Sequence, residues 1–295
     1  MPIIKIVPEK YPAIVALHKD GEKPSSIAQK YNVREEAIVR ILRKCGAYQK
    51  RNSRQYFFRE DFFAKIETEE QAYFLGLMYA DGTNNHSGAA ISLCEPDDYL
   101  LRRFAAALKY NGAITIFKKR KPFHKLKYAL SVHGKKISND LTRVGCFPRK
   151  SLTLKFPTTE QVPLSLMSHF LRGYFDGDGT LRHEPKGNKL QVQITSSPDF
   201  CTGFNNFLSS HLGFKGSKHT YSHSKAEDVR LSTRPGILFL DYIYNISSVK
   251  MTRKFDKFIN FFRSYNPPNG KCGSLIPTED VVKIRDKWLK TEDLK

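Results

Sequence analysis

The chain has 295 residues and is 40% apolar, enough to fill sizeable cores; its five cysteines (45, 94, 146, 201 and 272) are scattered, with no Cys-x-x-Cys pair, which argues against a disulfide framework or a zinc site. A formal charge of +20, from 49 Lys+Arg against 29 Asp+Glu, points to a polyanionic partner, nucleic acid before any other. The N-terminus lacks the apolar stretch of a signal peptide and no run approaches the roughly 18 apolar residues of a membrane span, so no membrane partner is expected, and the expected location is the cytoplasm, or an organellar matrix for an organelle-encoded chain.

Residues 1–54 read as a small all-α region and a linker. Ile27, Ala28, Tyr31, Val33, Ile38, Ile41 and Leu42 surround a turn at Asn32, a residue that tolerates the left-handed backbone a tight interhelical turn needs. Pro24-Ser25-Ser26 supplies a helix start. The pattern resembles the helix-turn-helix of DNA-binding proteins, with residues 11–19 as a support helix and residues 34–42, carrying Arg34 and Arg40, as the recognition helix. An ordinary helical hairpin shares much of this pattern. Residues 49–54 are polar and basic, as a linker would be.

Residues 55–160 and 161–265 read as two copies of one mixed unit. Phe74-Leu75-Gly76-Leu77-Met78-Tyr79-Ala80-Asp81-Gly82 in the first is matched by Leu171-Arg172-Gly173-Tyr174-Phe175-Asp176-Gly177-Asp178-Gly179 in the second. Each is an apolar helix with an internal glycine, ending in a small residue, Asp and Gly. Thr68 and Gln71 fit a capping box at the first helix's start. Residues 189–195 alternate strictly between apolar and polar, the period of a half-buried strand, and 229–234 and 128–133 follow suit. Helices are predicted over 96–109, 198–212 and 251–262. The order per copy is helix, two strands, helix, two strands, helix: an α+β fold with an antiparallel sheet whose uncovered face is polar. Residues 266–295 form a tail with one helix over 278–289.

The charge is concentrated in matching places. Residues 115–155 hold twelve Lys/Arg and one acid, and the corresponding residues 214–254 hold eight and three. A glycine inside a helix costs about 1 kcal/mol against alanine, so it needs a packing reason. Gly76 with Ala80, and Gly173 with Gly177, put small residues four apart on one face, which lets two helix backbones approach closely. If the two helices pair about a pseudo-twofold axis, their ends bring Asp81 and Asp178 together. Adjacent carboxylates repel unless protonated or bridged by cations; hard divalent ions, Mg²⁺ or Mn²⁺, two or more in number, are the natural bridge and suit hydrolysis of a phosphodiester.

The two copies resemble the LAGLIDADG motifs of homing endonucleases in their single-chain, two-motif form. The resemblance implies two pseudo-symmetric αββαββα repeats forming a saddle over duplex DNA, motif helices at the interface, and metal-dependent cleavage of both strands by a monomer encoded in a mobile element, intron-borne or free-standing. It implies metal binding by Asp81 and Asp178 with the carbonyls of Ala80 and Gly177 as further ligands. Tyr79 departs from the family pattern, which is often acidic there, as at Asp176. Residues 145–157 look like the family's stretch before the second motif, with Lys150 as the basic residue near the scissile phosphates and Lys254, or Lys250 as the fallback, as its counterpart. DNA reading is then expected from Asn84, Asn85, His86, Lys118, Arg120, Lys125, Lys127, Arg182, His183, Lys189, Gln191, Gln193, Lys218, Arg230, Ser232 and Arg234. The alternative is a non-cleaving binder on the same scaffold, a transcription regulator or an intron RNA maturase.

Overall fold

In the computed structural model, which describes residues 6–48, 56–118, 121, 123–184, 188–222, 224–266 and 276–292, buried apolar side chains gather into two separate cores. They correspond to two compact units, Met1–Gln55 and Tyr56–Lys295. The first unit holds helices α1 (Tyr11–Lys19), α2 (Pro24–Lys30) and α3 (Glu35–Lys44) around Ile14, Ile27, Ala28, Ile38, Ile41 and Leu42. Asn32 adopts φ +53° between α2 and α3, as the turn requires. The residue at the start of α2 is Lys23, whose side chain makes no capping bond, so Ser25 and Ser26 lie inside the helix and do not cap it.

The second unit contains the repeat twice. The first copy runs α4 (Glu69–Ala80), β1 (Thr83–Asn84), β2 (Gly88–Cys94), α5 (Asp98–Ala107), β3 (Thr115–Phe117), β4 (Lys127–His133) and α6 (Lys135–Arg143). The second runs α7 (Met167–Asp178), β5 (Gly179–Glu184), β6 (Lys189–Ser196), α8 (Pro198–Phe207), β7 (Ser217–Thr220), β8 (Glu227–Leu231) and α9 (Thr233–Tyr244). Each copy forms one four-stranded antiparallel sheet, in the orders β1-β2-β4-β3 and β5-β6-β8-β7. The capping box of Thr68 and Gln71 opens α4.

Two elements depart from the sequence pattern. Residues 232–234 are not strand: Ser232 takes the N-cap position and α9 begins at Thr233, with Pro235 in its first turn, where a missing N–H is harmless. Ile237, Leu240, Ile243 and Tyr244, all buried, recur at helical spacing and mark α9 as the repeat's third helix. The helix expected at 251–262, α10 (Thr252–Ser264), is therefore a fourth. The tail's helix, α11 (Thr278–Glu292), belongs to the same core, because Trp288 packs against Phe255 and Phe258 of α10 and donates to Asp241 of α9 at 2.7 Å.

Helices α4 and α7 form the centre. Residues 71–79 are all buried, so α4 is enclosed on every side. A Cβ on Gly76 would lie 2.0 Å from the backbone oxygen of Phe170, and one on Gly173 would lie 1.9 Å from that of Tyr73. The two glycines are thus reciprocal: backbone meets backbone where a methyl group has no room. Arg172, with no exposed surface, donates to the carbonyls of Val249 and Ile243 and to Glu69, each at 2.7 Å, and ties α7 to α4 and to the chain after α9. Among the described residues, no helix is long and apolar enough to cross a membrane.

Candidate functional site

The packing of α4 on α7 delivers the two signature aspartates to one place. A Cβ on Gly177 would lie 2.3 Å from the Cβ of Ala80 and 3.1 Å from Oδ2 of Asp81, so the first aspartate's carboxylate rests against the helix turn that carries the second. Asp81 caps α4 and Asp178 is the last residue of α7. Both keep solvent-accessible surface. Surrounding protein nevertheless raises both carboxyls: desolvation is the main cause for each, and for Asp178, pushed up to about 6, the neighbouring Asp81 charge is the second. The two groups feel each other. A recess of about 240 Å³ opens at Asp178, lined also by Ala80, Lys150, Tyr174 and Thr195.

Lys150 and Lys254 occupy equivalent positions and are buried. The Lys150 ammonium donates to the carbonyls of Gly82 (2.8 Å) and Ala80 (3.3 Å); that of Lys254 donates to Phe175 (2.6 Å), Gly177 (3.3 Å) and Gly179. Each cation therefore satisfies the open carbonyls at a helix C-terminus, where positive charge is favoured. These include the Ala80 and Gly177 oxygens expected as metal ligands. Burial brings the Lys254 ammonium down to about 8, against the pull of Asp176 in the other direction. Among the described residues, no group of three or more His, Cys, Asp or Glu side chains gathers into a metal-holding cluster. The oxygen donors here are the two aspartates and the carbonyls already engaged by the lysines.

The residue before each lysine segment is held by a motif-helix side chain. Tyr79 donates to the Val144 carbonyl at 2.7 Å. Its counterpart Asp176, with no exposed surface, accepts from Tyr73 (2.9 Å), Tyr244 (2.8 Å) and the Met251 N–H (2.7 Å). Neither role is visible in the sequence, because each partner lies at least 65 residues away or on the opposite helix.

The expected DNA-reading side chains separate into several groups. Asn84 is buried, donating to the carbonyls of Ser138 and Cys146 and accepting from the Ser138 hydroxyl, so it anchors α6 and is unavailable to a base. Arg234 is buried on α9 and bonds the Ile276 carbonyl and Thr278 hydroxyl. His183 pairs in register with Leu190 on the apolar side of its sheet and meets the Phe261 ring edge-on. Lys218 pairs with Val229 on that same side and bonds Thr202 of α8 and Glu227. Period-two alternation explains the last two: a shift of one residue along a strand moves a side chain to the other face. Ser232 is exposed at the α9 N-cap position, off the sheet.

Asn85 and His86 form the exposed β1–β2 turn, with His86 at φ +62°, and Lys118, Lys125 and Lys127 are exposed at the ends of β3 and β4. Arg120 lies outside the described residues. Arg182, Lys189, Gln191, Gln193 and Arg230 share the open face of the second sheet. Arg34 and Arg40 are exposed in the first unit. On the second sheet's open face the sequence pattern missed Asp228, which has no exposed surface and accepts from Thr195 (2.7 Å), Gln193 (2.8 Å), Arg230 (3.0 Å) and Tyr221. Despite desolvation, those bonds from Tyr221, Thr195 and Arg230 hold its carboxyl below the ordinary range.

Residues 165–260 match the family model of a LAGLIDADG-like domain. No curated protein sequence matches the chain. Similar solved structures include the homing endonuclease I-WcaI bound to its DNA recognition sequence (10% identity, 66% of this chain and 89% of that one, TM-score 0.48). Others are the N-terminal LAGLIDADG domain of DUF199/WhiA (13%, 66% and 92%, TM-score 0.42) and the meganuclease I-SmaMI bound to uncleaveable DNA (12%, 68% and 89%, TM-score 0.42).

Proposed function

On the premise that residues 165–260 form a LAGLIDADG-like domain, we propose that the chain is a monomeric, site-specific, divalent-metal-dependent DNA endonuclease, with Asp81 and Asp178 as its metal-binding carboxylates. The observation that carries this reading is the reciprocal glycine contact of α4 with α7, which sets Asp81 against the last turn before Asp178, where burial first and the Asp81 charge second push the second carboxyl up to about 6. Two carboxylates kept together at that cost in desolvation and charge suit a shared cation. Mg²⁺ or Mn²⁺ bound there supplies an activated water and charge for the leaving oxygen. Lys150 and Lys254 add positive charge beside the aspartates, and the two basic stretches engage phosphates. The first unit lengthens the footprint, with α3 as its recognition helix through Arg34 and Arg40. Intron homing or another form of gene mobility is the setting this activity fits.

One observation favours a second reading, a non-cleaving nucleic-acid binder. The Ala80 and Gly177 carbonyls, which would complete a metal site, already receive lysine ammonium groups.

Cleavage of the genomic DNA flanking the gene in Mg²⁺ is the deciding assay, run beside Asp81→Asn and Asp178→Asn. The endonuclease reading expects cutting by the wild type and a loss of about 100-fold or more in either variant. Specific binding without cutting establishes the second reading instead. Cutting by the wild type and both variants alike would overturn the site assignment. Removal of residues 1–55 is expected to weaken binding and flatten its salt dependence without abolishing cutting; unchanged binding would reduce that unit to a packing element.

A further inference from the structure

The open faces of the two sheets are built from the same positions with different chemistry. Thr83 pairs with Ala90 in the first sheet and Thr180 with Gln193 in the second, each immediately after its signature helix, so Ala90 and Gln193 are equivalent. Continuing the registers, Ser131 corresponds to Arg230, Ala129 to Asp228 and Ser92 to Thr195. At these four positions the first sheet offers two alanines and two serines. The second offers side chains that reach outward and are tied together.

Asp228 is the hub. Gln193 directs its Nε2 at the carboxylate, which fixes the amide's orientation and leaves Oε1 as an acceptor with no hydrogen bond among the described residues. Arg230 gives Nη2 to both Asp228 and the Tyr221 hydroxyl, and its Nε is buried; among the described residues Nη1 makes no hydrogen bond. Its side chain keeps 29% of its surface exposed against none for Asp228. An arginine so held, with Nη1 left over, is prepared for a guanine acceptor, and a glutamine with its amide oxygen unengaged for an exocyclic amine of adenine or cytosine. Asp228 does not repel the duplex because Arg230 balances its charge. Preorganisation of this kind lowers the ordering cost of recognition.

We infer that base-pair discrimination at these four matched positions is unequal: the second sheet reads there through Arg230 and Gln193, positioned by Asp228, and the first sheet contributes little discrimination there. The inference rests on the DNA-binding reading above.

The test is selection of bound duplexes from a randomised pool by the full chain without divalent metal, followed by sequencing of the retained DNA. Wild type is expected to yield a consensus in which Arg230→Ala loses about ten-fold or more of its preference at one base pair. Gln193→Ala is expected to lose preference at a neighbouring pair. Ser92→Ala and Ser131→Ala in the first sheet are expected to leave the consensus as it was. Asp228→Asn, close in size, is expected to reduce preference at the pairs read by Arg230 and Gln193 while affinity for a scrambled duplex stays within about two-fold, since phosphate contacts supply that affinity; a merely structural role would lower both together.

If Arg230→Ala keeps the wild-type consensus, or the first-sheet variants alter it as strongly, the inference is wrong while the DNA-binding reading stands. Loss of scrambled-duplex affinity in parallel with preference in Asp228→Asn removes Asp228 as a positioning residue. If wild type retains no DNA from the pool, both readings fall together.

Discussion

At the position two residues before each signature aspartate, the first repeat carries Tyr79 and the second Asp176, yet both secure the chain that leads to one of the two buried lysines. Tyr79 reaches one carbonyl, at Val144, six residues before Lys150. Asp176 gathers three donors, one of them the N–H of Met251, three residues before Lys254. The difference teaches that pseudo-symmetry here is kept at the level of what must be held, while the means differ. A phenol that donates and a carboxylate that accepts are opposite in hydrogen-bond sense, and each is matched by the backbone group facing it. The second repeat is also the more heavily buttressed, since α10 and α11 pack on α9 behind it and Arg172 crosses into its closing segment.

The largest expected effect tests a feature the repeats share without variation. Gly76→Ala and Gly173→Ala each drive a methyl group to within 2.0 Å of a backbone oxygen of the facing helix. Each is expected to cost about 3 kcal/mol or more in urea unfolding. Strongly unequal losses would mean that the helix pair is not reciprocal.

Next in size is the comparison itself. Asp176→Ala strands three buried donors and is expected to destabilise by about 3 kcal/mol. Tyr79→Phe strands one carbonyl and is expected to cost about 1 kcal/mol. Equal costs would erase the proposed difference between the two anchors.

The smallest effect concerns pH. The Asp178 carboxyl, at about 6 in the folded chain against an ordinary 3.8, binds its proton more tightly folded than unfolded. Its contribution to stability therefore falls as pH rises from its ordinary value through about 6. In metal-free buffer, Asp178→Asn is expected to melt at the wild-type temperature in acid and above it at neutral pH. A melting temperature below wild type at pH 7 would show that the aspartate pair is not under electrostatic tension.

The signature helices, their internal glycines, the capping box and the alternation of residues 189–195 were legible because each is a local pattern with a local cause. So was the pairing of Asp81 with Asp178, since small residues four apart on two matched helices leave few other arrangements. The polar face of the second sheet was only partly legible: His183 and Lys218 lie on its apolar side because one step in register decides the face, and the burial of Asn84 and Arg234 was not legible because a polar side chain in or beside a strand says nothing of what it meets. Helix α9 was overlooked beneath an arginine-bearing pattern that continued β8.

The sequence by itself determined that the molecule is duplicated, basic and built to bring two aspartates to adjoining helix ends, because periodicity, composition and spacing are properties of the chain. Only the tertiary structure decided that lysines 150 and 254 cap the very carbonyls beside those aspartates, that Asp176 is an anchor, and that one sheet carries a connected polar network where the other carries alanine and serine at the four matched positions. Those facts depend on strand register and on contacts between residues far apart in the chain, which local spacing does not encode.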